Sequence, residues 1–190
     1  RRLHLCDQNL EQIKTENITT HNLLVDVCMA AKFEAESLEK YRAQYQQKYG
    51  DVGSPICTVL ARSFADIGDI IRGKDLYLGD QQEKAKLENN LKKVFSKIYY
   101  NLTDEVKKHY EDDDKGTENY YKLRNAWWEA NRHEVWKAIT CDAGGDKYFR
   151  TTACSSYYPT GDKCRCTTHH VPTYFDYVPQ YLRWFEEWAE

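Results

Sequence analysis

An all-α fold is what this chain predicts, on three observations. Apolar residues recur at steps of three and four along most of its length, and almost no segment alternates apolar and polar residues as a half-buried strand would. Glycine or proline stands where several of the periodic runs stop or start. With 190 residues, 41% of them apolar, the chain can bury one sizeable core and is too short for several independent domains. Fifteen Tyr and five Trp exclude global disorder. The balance of 27 Lys and Arg against 30 Asp and Glu leaves a formal charge of -3, which calls for neither nucleic acid nor a membrane surface, so a polyanion site has to be a local patch. No apolar run approaches the roughly 18 residues that cross a bilayer, and the opening Arg1-Arg2-Leu3-His4-Leu5-Cys6 is not a signal peptide. Because the chain starts on a charged pair and stops at Trp188-Ala189-Glu190 inside a helical pattern, a fragment of a longer protein is expected.

The first long helix is predicted from about Thr20 or Asn22 to Lys48, with Leu24, Val27, Cys28, Ala31, Ala35, Leu38, Tyr41 and Tyr45 as its stripe and Gly50 as its stop. Ser54-Pro55 supplies an N-cap and a first-turn proline for a second, where Val59, Leu60, Phe64, Ile67 and Ile71 continue to Gly73. A third runs from about Asp80 to Tyr110 on Leu87, Leu91, Val94, Phe95 and Ile98, with Lys86, Lys93 and Lys97 on another face. The acidic turn Glu111 to Gly116 breaks the pattern before a fourth helix, about Thr117 to Thr140, built on Tyr120, Leu123, Trp127, Ala130, Val135, Trp136 and Ile139. Between Cys141 and Pro172 aliphatics are scarce, so crosslinks have to hold this insert; a bridge closing a loop of about 15 residues contributes about 3 kcal/mol. The terminal segment is loaded with rings, Tyr174, Phe175, Tyr177, Tyr181, Trp184, Phe185 and Trp188, and Pro179 sits near a helix start.

Seven cysteines, at 6, 28, 57, 141, 154, 164 and 166, favour an oxidising compartment and are all disulfide candidates. Their odd number leaves at least one thiol free or paired outside the chain, and their connectivity stays open. The rival reading is an intracellular helical scaffold with a structural zinc on Cys154, Cys164, Cys166 and His169, with His170 beside them, although the Cys-x-Cys step departs from common zinc spacing. Two sequons, at Asn17 and Asn101, carry little weight.

No Gly-rich phosphate loop, His-Glu-x-x-His or Gly-x-Ser-x-Gly is present, so neither catalysis nor a cofactor is expected. Glu186-Glu187 and Asp112 to Asp114 read as solvated acidic runs. Asp66 and Asp69 fall three apart on one helical face and can orient neighbouring loops as easily as bind a ligand.

The run from Cys57 to Tyr77, containing Arg62-Ser-Phe-Ala-Asp-Ile-Gly-Asp-Ile-Ile-Arg72, closely resembles the alpha class of Duffy-binding-like domains of the Plasmodium falciparum erythrocyte membrane protein family. Similar matches are Arg1 to Cys6, Asn125 to Arg132, Val135 to Cys141, Cys164-Arg-Cys166 and Val178 to Trp188, so the resemblance spans most of the chain. It implies a long-helix bundle with a disulfide-stapled irregular insert, holding the end of a first subdomain and an entry helix at about 1–50 and a second subdomain at about 51–190. It also implies a non-catalytic adhesion module of a variant surface antigen on the outer face of the infected erythrocyte membrane, attached through the rest of the parent protein. The implied partners are host red-cell glycans or receptors in rosetting (heparan-sulfate-like chains, blood-group sugars or complement receptor) and host antibodies. No nucleic acid is among them.

Motifs that identify the family read as scaffold, so the ligand site is sought on exposed residues. The candidate for a sulfated glycan is Lys86, Lys93 and Lys97, extended by Lys92, Lys107 and Lys108, since ammonium groups spaced along a rigid helix meet successive sulfates and release counterions. The competing reading is a solvated helix face. A neutral sugar would want a ring to stack on, from Tyr157, Tyr158 or Trp128, which otherwise belong in a core.

Overall fold

The computed structural model describes residues 5–13, 19–50, 56–77, 79, 81–112, 118–143, 153–154, 158–168 and 170–189. Its helices are α1 (Gln8–Glu11), α2 (Thr20–Tyr49), α3 (Ile56–Arg72), α4 (Gln81–Tyr100), α5 (Asp104–His109), α6 (Tyr121–Ile139) and α7 (Gln180–Ala189), with short 3-10 turns at Asp162–Cys164 and Phe175–Tyr177. Among the described residues the only extended pairing is a single bridge between Cys154 and Tyr158, so the all-α class holds.

Helix α3 is the axis of the molecule. Nearly every one of its residues is buried, charged ones included, because α2, α6, α7 and the Phe175–Tyr177 turn surround it. Phe64 stands at the centre, its ring 5.1 Å from that of Trp128 and 5.2 Å edge-on from that of Trp136. Gly68 lets this happen: a Cβ there would lie 2.7 Å from the Trp128 indole, closer than packing allows. Helix α4 closes on α6 through the expected Leu87, Leu91, Val94, Phe95 and Ile98, with Phe95 edge-on to Trp127.

Helix α2 starts and stops as expected, on the Thr19 side chain, which accepts the Asn22 N–H, and on Gly50 at φ 89°. Its buried stripe differs from the expected one. Leu23, Val27, Ala30, Ala31 and Ala35 are buried, whereas Tyr41 and Tyr45 stand in solvent, because the second half of the helix runs past the body of the domain. The expected third helix is two: the chain turns at residues 101–103 and restarts at Asp104, with Thr103 extended before it. The fourth begins at Tyr121, four residues late, since Tyr120 adopts a left-handed conformation and Asp112 accepts the Tyr121 and Lys122 N–H groups from nine and ten residues upstream. Ala130, expected in the core, is exposed, and Arg124 is fully buried instead. Short α1 has no counterpart in the periodicity; it packs on α2 and α4 through Leu10.

The irregular insert is held by crosslinks. Cys57 of α3 bonds Cys164 across 107 residues and Cys154 bonds Cys166 across 12, while Cys6, Cys28 and Cys141 are thiols. Polar contacts support the bridges: the Trp136 indole N–H donates to the Cys164 carbonyl at 3.2 Å, and Arg165 donates to the Thr140 hydroxyl at 2.8 Å. Three of the four ligands in the zinc reading are thus disulfide sulfurs, unable to bind the metal as thiolates, which removes that alternative. The fourth, His169, lies outside the described residues.

Candidate functional site

The chemistry that looked most like a site, the paired aspartates of α3, is an internal junction. Arg183 of α7 donates to Asp66 Oδ1 at 2.7 Å and to Asp69 Oδ2 at 2.6 Å, and the other Asp69 oxygen takes a 2.8 Å bond from Arg72. The same Arg183 donates to the Val178 carbonyl at 2.6 Å, and Gln180 bridges Asp66 and Asp75 while accepting the Leu76 N–H. A second knot lies beside it. Asp176 accepts the Trp128 indole N–H at 2.9 Å and two bonds from Arg132, each at 2.8 Å, while Arg72 reaches the Asp176 carbonyl. Burial disfavours the charge on Arg183 and on Arg132, yet the carboxylates each faces outweigh that and raise both pKa values. A third arginine, Arg124, donates to the Ile70 and Ile71 carbonyls at the end of α3 and makes a bidentate pair with Glu88 of α4, at 2.6 and 2.9 Å. These groups bind one another, so Asp66 and Asp69 position α7 and leave little for an outside ligand.

Sequence reasoning found the aspartates but neither their partners Arg183, Gln180 and Arg72 nor the neighbouring pair of Arg132 with Asp176. A signal was present: two carboxylates in a largely apolar helix require buried counter-charges, and arginine with its fork of donors is the residue that supplies them.

The lysine face survives in a reduced form. Lys86, Lys93 and Lys97 are exposed, and their spacings of seven and four put them on one side of α4, about 10 Å and about 6 Å apart along the axis. Lys92 does not join them. It is half-buried on another side, lining a small concavity of about 200 Å³ with Ile70, Gly73, Lys84, Glu88 and Tyr121. Lys107 and Lys108 belong to α5, beyond the break in the chain; Lys107 is half-buried and pairs with Asp104 at 3.5 Å, while Lys108 is exposed.

Of the rings considered for stacking, Trp128 is fully buried and committed to Asp176, a correction that follows from its place between Phe64 and Arg72. Tyr158 is exposed, and Tyr157 lies outside the described residues. Among the acidic runs, Glu186 is exposed as expected, but Asp112 caps α6. No cluster of three metal-ligating side chains occurs among the described residues, and no helix there is long and apolar enough to cross a membrane.

The domain is helical and disulfide-braced, and the buried charges of α3, α6 and α7 described above pair within its own scaffold. The family follows from comparison. A model of the Duffy binding domain matches residues 1–183, and the chain belongs to that family. Among solved structures it is similar to the NTS-DBL1(alpha-1) domain of Plasmodium falciparum membrane protein 1 (PfEMP1) from the varO strain, at 44% identity and a TM-score of 0.76 over 100% of this chain. It is also similar to an ICAM-1-binding PfEMP1 DBLbeta domain, at 35% identity and a TM-score of 0.70 over 98% of this chain. A further PfEMP1 DBL domain, solved bound to human ICAM-1, matches at 33% identity and a TM-score of 0.69 over 100% of this chain. The chain spans 42%, 41% and 39% of the lengths of these three, in that order. None of the curated proteins matches it significantly.

Proposed function

We propose that the chain is part of a non-catalytic adhesion domain of a variant surface antigen, displayed on the outer face of the infected erythrocyte, and that it binds sulfated host glycans through Lys86, Lys93 and Lys97. Residues 1–50 then belong to the end of a first subdomain and its entry helix, and 51–190 to a second. The observation that carries the glycan reading is the shared exposed side of α4 on which the three ammonium groups lie. Lys92 and Lys107 contribute little, being turned away or paired.

Because each sulfate contact releases a counterion, retention on heparin should fall steeply with salt. The variant K86E/K93E/K97E should elute at markedly lower salt than the unmodified chain while its circular dichroism stays the same. Unchanged elution would reduce the stripe to a solvated helix face. Of the similar structures, one is an ICAM-1-binding domain and another is bound to human ICAM-1, which favours a protein receptor as the second reading. Binding to immobilised ICAM-1 that resists both heparin and salt would select it. Salt-resistant binding to red cells that follows blood group would instead move the site to rings such as Tyr158.

A further inference from the structure

Helix α4 ends on a ring that its lysines do not explain. Lys86, Lys93, Lys97 and Tyr100 follow one another at steps of seven, four and three, which keeps all four on one side of the helix, and Tyr100, its last residue, is 62% exposed. The ring is exposed but not loose. Tyr99 meets it edge-on with centroids 5.9 Å apart, and Tyr99 in turn lies 5.4 Å from the ring of buried Tyr120 and donates its hydroxyl to the Lys107 carbonyl at 3.4 Å. The Tyr120 hydroxyl hydrogen-bonds those of Ser96 and Tyr100, so Tyr100 is held at its edge and at its tip. Ser96 lies one turn before Tyr100, and side chains of a helix lean toward its N-terminus, so the ring stands over the turn that carries Lys97.

On this side of α4 the ammonium groups stop at Lys97, and past it the carboxylates of Glu111 and Asp112 act on Tyr99 and that of Glu118 on Tyr120. A sulfate is therefore favoured over Lys97 and disfavoured beyond Tyr100. What the ring can take is an uncharged, largely apolar face, and a pyranose presents one in its C–H groups. We infer that Tyr100 determines specificity at this site: it stacks on a sugar ring adjoining the one whose sulfate meets Lys97, so that the side selects a sulfated glycan over a polyanion without sugar rings. The inference rests on the glycan reading of α4 and adds to it a contact that charge does not supply. Lys97 and Tyr100 are separated by about 4.5 Å along the axis, close to the breadth of one sugar ring, so neighbouring residues of a single glycan chain reach both. Little ordering is needed on binding, because the ring is fixed before the ligand arrives.

The test measures binding of a heparin hexasaccharide and of inorganic polyphosphate to the unmodified chain and to variants at Tyr100. Tyr100→Ala should weaken hexasaccharide binding about fivefold and leave polyphosphate binding unchanged, since both polyanions use the lysines but only one has a ring face to stack. Tyr100→Phe, which keeps the ring and gives up the hydroxyl bond to Tyr120, should retain most of the affinity. Unchanged hexasaccharide binding in Tyr100→Ala overturns the inference. So does an equal loss for both probes, or an equal loss in the Phe and Ala variants, either of which would make Tyr100 a support of the helix end rather than a stacking platform. The variant K86E/K93E/K97E separates this result from the reading beneath it. If that variant loses the hexasaccharide while Tyr100→Ala keeps it, the lysine site stands and only the role of Tyr100 falls, whereas binding that survives the lysine changes removes both.

Discussion

Residues 153–168 and residues 173–189 both come to rest beside α3, the first through sulfur and the second through buried charge. In the insert the described buried residues are Cys154, Thr160, Cys164 and Cys166, with no large aliphatic among them, and Cys57–Cys164 supplies the anchor. The terminal segment has rings in abundance, yet several point outward, and Arg183, Arg132, Gln180 and Asp176 make the attachment. Neither region is located by apolar burial of its own. A disulfide acts largely by restricting the unfolded chain and is indifferent to charge, whereas the ionic junction depends on complete pairing in a water-poor site. The two attachments therefore fail under different insults.

Removing the long bridge should have the largest effect. Cys57→Ala with Cys164→Ala releases a loop of 107 residues and should cost about 4–5 kcal/mol in urea unfolding. A loss under about 1 kcal/mol would show that Trp136 and Arg165 locate the insert without it. The ionic attachment comes next. Arg183→Ala leaves Asp66 and Asp69 short of counter-charge and should cost about 3–5 kcal/mol, with Arg183→Lys costing less because it keeps the charge but loses the forked geometry. Equal losses for the two variants would mean that the charge itself matters little. The contrast sharpens if dithiothreitol lowers the stability of the unmodified chain but adds nothing to the double cysteine variant beyond the effect of Cys154–Cys166.

The smallest effect concerns a thiol outside both attachments. Burial first, and then the negative charge of Glu134, push the Cys28 thiol up from 9.0 to about 11. Between those values the unfolded chain has lost a proton that the folded one keeps, so this group's contribution falls as pH rises through that window. Cys28→Ala should flatten the stability profile there relative to the unmodified chain, and identical profiles would contradict the shift. Below about pH 9 the two should run parallel.

The long helices, the Thr20 start and Gly50 stop of α2, the core face of α4 and the need for crosslinks in the insert were legible, because each depends on residues near one another in sequence. The same local spacing set Lys86, Lys93 and Lys97 on one side of a helix. Periodicity misjudged Tyr41 and Tyr45 because it says which side of a helix is apolar but not where along its length the neighbours stop, and Ala130 because the buried side of α6 centres on Arg124, Trp128, Val135 and Ile139. It also missed the break that moves Lys107 and Lys108 onto α5, since the apolar step carries across residues 101–103 without a gap.

What only the tertiary structure decided is long-range pairing: Asp112 capping α6, Cys57 choosing Cys164, Cys6, Cys28 and Cys141 left as thiols, and Arg183 meeting Asp66 and Asp69 across 117 and 114 positions. The sequence by itself determined a helical, disulfide-braced module with a basic stripe. Which charges are consumed by the scaffold and which remain for a partner depends on burial. Burial is a property of the packed assembly, because a carboxylate on a helix looks the same in sequence whether water or an arginine faces it.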